Sequence, residues 1–175
     1  MPSQNEDAVA FVEYMNGLTA DATKWFSPRF KKNVGNWQVQ QVQMGIGKTW
    51  NYRVRYTVPL DWCHSYDQRE PLSAENRPIA QGGYVSCLLD NASAGALNAA
   101  SGLRFQTTLS LATEYFEHVP HGEVYVSATA DKVGGRIGFA TATLYADDSY
   151  STALAKAVTT AKLSPAASPA GRSRL

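Results

Sequence analysis

Asp90 is the only charged side chain in a long, mostly apolar part of this sequence. Residues 78–103 contain no other Asp, Glu, Lys or Arg. A carboxylate in such surroundings costs free energy unless it is hydrogen-bonded, paired or needed for a reaction. Loss of hydration favours its protonated form, which suits a general base. The alternative interpretation is a helix carboxylate that faces solvent or caps a neighbouring group.

Two glycines precede this aspartate at a suggestive distance. Gly82 lies eight residues before Asp90, and Gly83 follows it. Glycine lets another group approach the backbone closely, and the amides at a helix start are free to donate hydrogen bonds. Such amides could hold a developing oxyanion or polarise a carbonyl group. A glycine pair is also a common turn signal, so the catalytic interpretation depends on the aspartate two helical turns later.

A long helix and a set of antiparallel strands would position these groups. We expect a helix from Gly82 to about Ala100, because helical spacing joins one apolar face; its members are Val85, Leu88, Leu89, Ala92, Ala96 and Ala99. Residues 37–44 and 50–58 are rich in strand formers, and the second run alternates as a half-buried strand. Four further strands are predicted over residues 107–118, 123–133, 136–146 and 150–163. The simplest arrangement is a four-strand meander wrapped around the helix.

The remaining segments set the predicted domain boundaries. Residues 1–36 contain helical spacing, residues 37–163 form one domain, and residues 164–175 form a Pro-, Ala- and Ser-rich flexible tail. Residues 59–78 are predicted as a long polar loop, and loops of that length are usually functional or mobile.

A family resemblance rests on residues 81–93, Gln-Gly-Gly-Tyr-Val-Ser-Cys-Leu-Leu-Asp-Asn-Ala-Ser. They resemble the helix-start motif of hot-dog-fold acyl-CoA thioesterases of the phenylacetate-pathway and thioesterase-superfamily-member type, which is His-Gly-Gly, six residues, then Asp. Residues 107–120 resemble the family's next strand, and residues 132–139 the hairpin near the coenzyme A nucleotide. The resemblance covers residues 37–163. It implies an α+β hot-dog fold, in which an antiparallel sheet wraps around a long central helix.

The resemblance also implies a reaction and its residues. It implies a thioester hydrolase that acts on an acyl-CoA or acyl-carrier protein and needs no metal or cofactor, coenzyme A being part of the substrate. Gly82 would polarise the carbonyl, and Asp90 would act as base or nucleophile across the interface of a homodimer or homotetramer. Thr108 would position the water, and Asn76 would lie near the thioester. The predicted substrate-binding residues are His64, Gly83, Lys132, Gly134 and Arg136.

Several of these assignments have alternatives. Lys132 and Arg136 are equally explained as ordinary surface charges. The neighbouring Cys63 and His64 are interpreted as loop residues that line or cover the acyl pocket, because adjacent side chains diverge and rarely form a catalytic pair.

One departure from the family motif leaves the activity open. The family's His is Gln81 here, and Gln can donate and accept hydrogen bonds but cannot transfer a proton near neutral pH. Two other functions therefore remain alternatives to hydrolysis. One is a hydratase or dehydratase on the same fold, and the other is a non-hydrolytic acyl- or polyketide-binding module.

Composition and the chain ends suggest partners and a compartment. A net charge of +1 argues against nucleic-acid binding. Two cysteines cannot form a disulfide framework or a cysteine-pair metal site, so a reduced compartment is expected. No secretory signal or membrane span is predicted. The final Ser173-Arg174-Leu175 resembles the Ser-Lys-Leu address read by the peroxisomal import receptor, which predicts a peroxisomal protein, and otherwise a cytoplasmic one.

Overall fold

One long helix lies against a six-stranded antiparallel sheet in this protein. The structure is a computed structural model that describes residues 12–13, 37–44, 50–67 and 69–165. The helix is α1 (Gly82–Ser101). In chain order, the strands are β1 (Trp37–Met44), β2 (Trp50–Val58), β3 (Cys63–His64), β4 (Ile79–Ala80), β5 (Gln106–Tyr115), β6 (Gly122–Val133), β7 (Ile137–Tyr145) and β8 (Ala153–Leu163).

Some predictions fall on residues beyond that description. They are most of the N-terminal helical segment 1–36 and the tail after Pro165, including its last three residues. The domain boundaries drawn from those segments and the peroxisomal address stay predictions.

The strand order differs from the predicted meander. The sheet runs β1-β2-β6-β7-β8-β5, with every neighbouring pair antiparallel. Of the four strands in the predicted meander, only β6, β7 and β8 neighbour each other in chain order, so the prediction of a four-strand meander was wrong. β5 crosses to the far edge of the sheet and pairs with β8 instead of β6. Hydrophobic periodicity predicts that a strand exists but carries no information about its partner.

The apolar face predicted for the helix packs on the sheet. Residues of α1 that are buried include Val85, Leu88, Leu89, Ala92 and Ala96. Gly95 lies directly over the Tyr52 ring of β2, because a Cβ on this glycine would be 2.4 Å from the ring atom that bears the hydroxyl. The helix ends at Gly102, whose φ of 69° is a left-handed conformation that glycine adopts without strain.

The predicted loop 59–78 has more structure than its polar sequence indicates. It contains a short 3-10 turn, Leu60–Trp62, and strand β3, which pairs antiparallel with β4. Gln81 N donates to Trp62 O at 2.8 Å, and the Trp62 ring stacks on Tyr84 with 5.4 Å between ring centroids. The loop therefore folds back onto the first turn of α1 and fixes where the helix begins. No described helix is long and apolar enough to cross a membrane.

Candidate active site

The start of α1 presents two backbone amides without acceptors. Gln81 is the N-cap residue, and its side-chain oxygen accepts a hydrogen bond from Tyr84 N at 2.9 Å. Its carbonyl oxygen accepts from Tyr84 N and Val85 N. Within the described part of the chain, the amides of Gly82 and Gly83 donate to no protein acceptor. The two groups singled out from the sequence are thus available to a ligand at the positive end of the helix.

Gln81 has a defined structural role where the family motif has His. Its side chain folds over the first helical turn, so a Cβ on Gly83 would lie 2.9 Å from the Gln81 side-chain oxygen. Capping by a side-chain oxygen stabilises a helix start by about 1 kcal/mol. Gln81 therefore shapes the helix start, and a side chain at Gly83 would displace the Gln81 oxygen from its present position.

Asp90 and Thr108 form a hydrogen-bonded pair between α1 and β5. Thr108 Oγ1 donates to Asp90 Oδ1 at 2.8 Å. The Asp90 side chain is half-buried, and no described cation forms a salt bridge with it. The sequence left open whether this carboxylate merely caps a neighbour. In the structure its Oδ1 is engaged by Thr108, and Oδ2 accepts no hydrogen bond from the described residues.

A β-bulge turns Thr108 toward the helix. In the β5–β8 ladder Thr108 pairs with Ala161 and Ser110 pairs with Thr160, so Leu109 is an extra residue without a partner. Without the bulge, Thr108 and Thr113 would point to opposite faces, because their separation is odd. With the bulge both face α1. The register shift therefore makes the hydrogen bond to Asp90 possible.

A second cluster, not predicted from the sequence, joins β5 to α1. Tyr115 Oη donates to the carbonyl oxygen of Gly82 at 2.7 Å. Ser86 Oγ lies 2.7 Å from Tyr115 Oη and 3.2 Å from Thr113 Oγ1. The alternation of Thr113 and Tyr115 on β5 was visible in the sequence, but the helix residues that they contact were not.

The other predicted site residues before α1 lie in or beside the loop. Asn76 Nδ2 donates to Pro71 O at 3.0 Å, so its side chain stabilises the loop. His64 Nδ1 lies 3.2 Å from Ile79 O. Neither side chain forms a hydrogen bond with Asp90 or Gly82 in the described structure.

The two cysteines have the properties of unreactive thiols. Cys63 Sγ donates to Pro59 O at 3.5 Å, and burial raises its pKa. Burial also raises the pKa of Cys87, with a smaller contribution from the charge of Asp90. A raised pKa keeps a thiol protonated near neutral pH, and a protonated thiol is a poor nucleophile.

The predicted coenzyme A hairpin is formed by the β6–β7 turn. Lys132 and Arg136 are exposed there, and Gly134 N closes the turn by donating to Ile137 O at 2.8 Å. Arg104 was not predicted to have a role, yet its guanidinium donates to the carbonyl oxygens of Gly134 and Gly135. Arg104 thus holds the hairpin against the end of α1. Among the described residues no group of three or more His, Cys, Asp or Glu could hold a metal ion.

A separate cavity lies beside β4. Its volume is about 370 Å³, and it is lined by Tyr66, Ala74, Arg77, Pro78, Ile79, His118, Pro120 and His121. None of the predicted site residues lines it.

Comparison with known proteins agrees with this architecture. Residues 79–153 match the thioesterase superfamily, a segment that includes the glycine pair, Asp90 and Thr108. The superposed structures have the same long helix on an antiparallel sheet. This is the hot-dog fold. A search of curated proteins found no match.

Solved structures with the hot-dog fold superpose over most of the chain. Zebrafish thioesterase superfamily member 2 has a TM-score of 0.65 at 16% identity, over 87% of this chain and 98% of that one. A phenylacetic acid degradation-related protein from Ralstonia eutropha has a TM-score of 0.59 at 18% identity, over 77% and 89%. A hypothetical thioesterase protein with coenzyme A, from Streptococcus pneumoniae, has a TM-score of 0.58 at 15% identity, over 76% and 89%.

Proposed function

We propose that this protein hydrolyses an acyl-CoA thioester to a free carboxylic acid and coenzyme A. The observation that carries the proposal is the hydrogen bond between Thr108 of β5 and Asp90 of α1. The start of the same helix offers two free backbone amides. A thioester hydrolase needs a base for water and donors for the carbonyl oxygen, and these groups are of the right kinds. The thioesterase-superfamily match over residues 79–153 supports the same class of reaction.

Each of these groups has a chemical task in the proposed reaction. The Thr108 hydroxyl occupies Asp90 Oδ1, which leaves Oδ2 to accept a proton from water. The resulting hydroxide oxygen attacks the thioester carbon, and the Gly82 amide stabilises the negative charge on the carbonyl oxygen. The intermediate collapses when the carbon–sulfur bond breaks. The thiolate leaves with the electron pair and takes the proton from Asp90, so the products are a carboxylic acid and a thiol.

The spacing of the two catalytic groups favours a site shared by two subunits. Gly82 and Asp90 are eight residues apart on one straight helix, which places them about 12 Å apart along its axis. A base and an oxyanion donor that act on one carbonyl group each lie about 3 Å from the atoms they serve. We therefore propose a homodimer in which Gly82 of one subunit works with Asp90 of the other.

The free edge of β5 is our candidate for that dimer contact. β5 is an edge strand of the sheet, so one side of its backbone is unpaired among the described residues. Leu109 and Tyr115 on this strand are 56% and 50% exposed. Unpaired edges with apolar side chains tend to pair with another chain. Antiparallel pairing of two β5 strands about a two-fold axis would cover both.

Coenzyme A is the proposed thiol because of the hairpin charges and two structural relatives. Lys132 and Arg136 are exposed cations on the β6–β7 hairpin and could pair with phosphate groups. Among the superposed structures, the Streptococcus pneumoniae protein contains coenzyme A and a Streptococcus mutans protein was bound to acetyl CoA.

Thiol release from a panel of acyl-CoA substrates tests the proposal. The purified protein is expected to release coenzyme A from at least one acyl-CoA, and Asp90→Asn should abolish this release because Asn cannot accept the water proton. Asp131→Asn is a matched control, since Asp131 also accepts a threonine hydroxyl, from Thr141 at 2.7 Å. Equal rates for the wild type and Asp90→Asn would remove Asp90 from the mechanism.

Product analysis separates the alternatives. Hydrolysis splits the substrate into an acid and a thiol, whereas a hydratase or dehydratase leaves the thioester intact and changes its mass by one water. Tight acyl-CoA binding without any product would instead indicate a binding module.

A further inference from the structure

We propose that Tyr115 is a positioning residue for the oxyanion-binding amides, acting through the carbonyl oxygen of Gly82. The inference rests on the proposed function and adds a residue from β5 to that site. Tyr115 does not contact the free amides directly. It contacts the peptide group to which one of them belongs.

The relevant contact is made on the peptide bond between Gly82 and Gly83. Tyr115 Oη donates to Gly82 O at 2.7 Å. That carbonyl and the amide of Gly83 share one conjugated peptide group. A hydrogen bond accepted by the carbonyl polarises the group, and the amide hydrogen on its other side becomes a better donor. The Tyr115 hydroxyl therefore strengthens the Gly83 amide, the neighbour of the Gly82 amide in the helix start, and we assign this amide as a second donor to the thioester carbonyl oxygen.

Ser86 holds the Tyr115 hydroxyl in place. Since the Tyr115 proton is used on Gly82 O, the single Ser86 proton is shared between Tyr115 Oη at 2.7 Å and Thr113 Oγ1 at 3.2 Å. Ser86 lies one turn after Gly82 on α1, so the two contacts of Tyr115 span the first full turn of the helix. Rotation of the Gly82–Gly83 peptide would break this arrangement.

The side chain of Tyr115 also packs on the glycine itself. A Cβ on Gly82 would lie 3.4 Å from Tyr115 Oη and 3.5 Å from the adjacent ring carbon. Tyr115 is nevertheless 50% exposed, so it is not a core residue. Removing only its hydroxyl leaves the ring contact in place and tests the hydrogen bond separately from packing.

The kinetic test compares Tyr115→Phe with Tyr125→Phe. Tyr125 is a matched control, because its hydroxyl also forms a hydrogen bond near the surface, to Glu123 at 3.2 Å. We expect kcat of Tyr115→Phe to fall about tenfold while KM stays within about twofold, because a weakened oxyanion donor acts mainly in the transition state. Tyr125→Phe should match the wild type. An unchanged kcat in Tyr115→Phe, or an equal fall in both variants, would overturn the proposal.

A measurement on the amide itself keeps this test independent of turnover. In ¹⁵N-labelled protein, the Gly83 amide proton resonance should move upfield in Tyr115→Phe and stay in place in Tyr125→Phe. If the wild type releases no thiol from any acyl-CoA, hydrolysis is wrong as the proposed function, and the Gly83 resonance alone then decides the role of Tyr115. A Gly83 resonance that is the same in the wild type and Tyr115→Phe overturns the inference whatever the activity.

Discussion

The Asp90 carboxylate, which is isolated from other charges in the sequence, has a neutral hydrogen-bond partner in the structure. No described Lys, Arg or His forms a salt bridge with it. Thr108 donates to one of its oxygens. A hydroxyl partner fixes the orientation of the carboxylate without the strong charge stabilisation that a lysine or arginine would supply. A mutation of Thr108 can remove this hydrogen bond and leave the Asp90 carboxylate unchanged.

Thr108→Val should slow thiol release without abolishing it. Valine has nearly the same shape as threonine but cannot donate, so Asp90 would lose its fixed orientation. We expect kcat to fall about tenfold, the effect of losing one hydrogen bond to a charged group. Thr141→Val is the matched control, because Thr141 donates to Asp131 away from the site. Steady-state kinetics check the prediction, and a Thr108→Val rate equal to that of the control would contradict it.

At the scale of elements, the site depends on how α1 is seated on the sheet. The helix crosses β2 at Gly95, where the Tyr52 ring leaves no room for a side chain. On its other side, the Leu109 bulge in β5 directs Thr108 toward the helix. The position of α1 and the bulge in β5 thus determine together whether Asp90 meets Thr108.

Gly95→Ala should destabilise the protein in spite of a better helix propensity. Alanine in a helix interior gains about 1 kcal/mol over glycine. Its Cβ, however, would lie 2.4 Å from a rigid ring atom of Tyr52, so the helix or the ring must move. Overpacking of this kind typically costs about 1–3 kcal/mol, and the contacts with several ring atoms place it at the upper end. We expect a net loss of about 1–2 kcal/mol in the free energy of unfolding.

Chemical denaturation monitored by circular dichroism measures this loss. Gly135→Ala is the control, because no atom lies within 4 Å of a Cβ built on Gly135. That variant should unfold within about 0.5 kcal/mol of the wild type. Equal stabilities for the Gly95→Ala protein and the wild type would show that Tyr52 can move aside freely.

At the scale of the whole molecule, we propose a site shared by two chains. One helix cannot bring both its own Gly82 and its own Asp90 to a single thioester, as their separation along the axis is about 12 Å. A two-fold axis can place Gly82 of one chain beside Asp90 of the other, and it creates two equivalent sites in this way.

Mixed dimers test the shared site directly. Gly82→Pro removes the amide hydrogen, and proline suits the first helical position. Gln81 before it is extended, with φ −66° and ψ 135°, as the residue before a proline must be. Gly82→Pro and Asp90→Asn should each be inactive alone. After the two are unfolded and refolded together in equal amounts, about one quarter of wild-type activity should return, since half of the dimers are hybrids with one intact site each.

Separate refolding of each variant is the control for this experiment. Native mass spectrometry shows whether the mixtures contain hybrid dimers. If hybrids are present and the activity stays at the level of the separate variants, the result contradicts a shared site. Such a result would place both groups of each site in one chain.

Local patterns were sufficient to predict the long helix and the six strands of the main sheet. The apolar stripe of α1 and the alternation of β2 depend on neighbours along the chain, and both predictions are confirmed. The isolation of Asp90 and the glycine pair before it were equally visible. The hot-dog fold suggested by the motif is confirmed as well.

Only the tertiary structure decided which distant residues meet. The pairing of β5 with β8, the bulge at Leu109 and the donation from Tyr115 to Gly82 all join residues far apart in sequence. Side-chain periodicity specifies which face of an element is buried but not what covers it, because many partners satisfy the same apolar pattern. Asp90 and the glycine pair were singled out from the sequence as candidates for chemistry. Their partners depend on long-range packing, which a single sequence does not reveal.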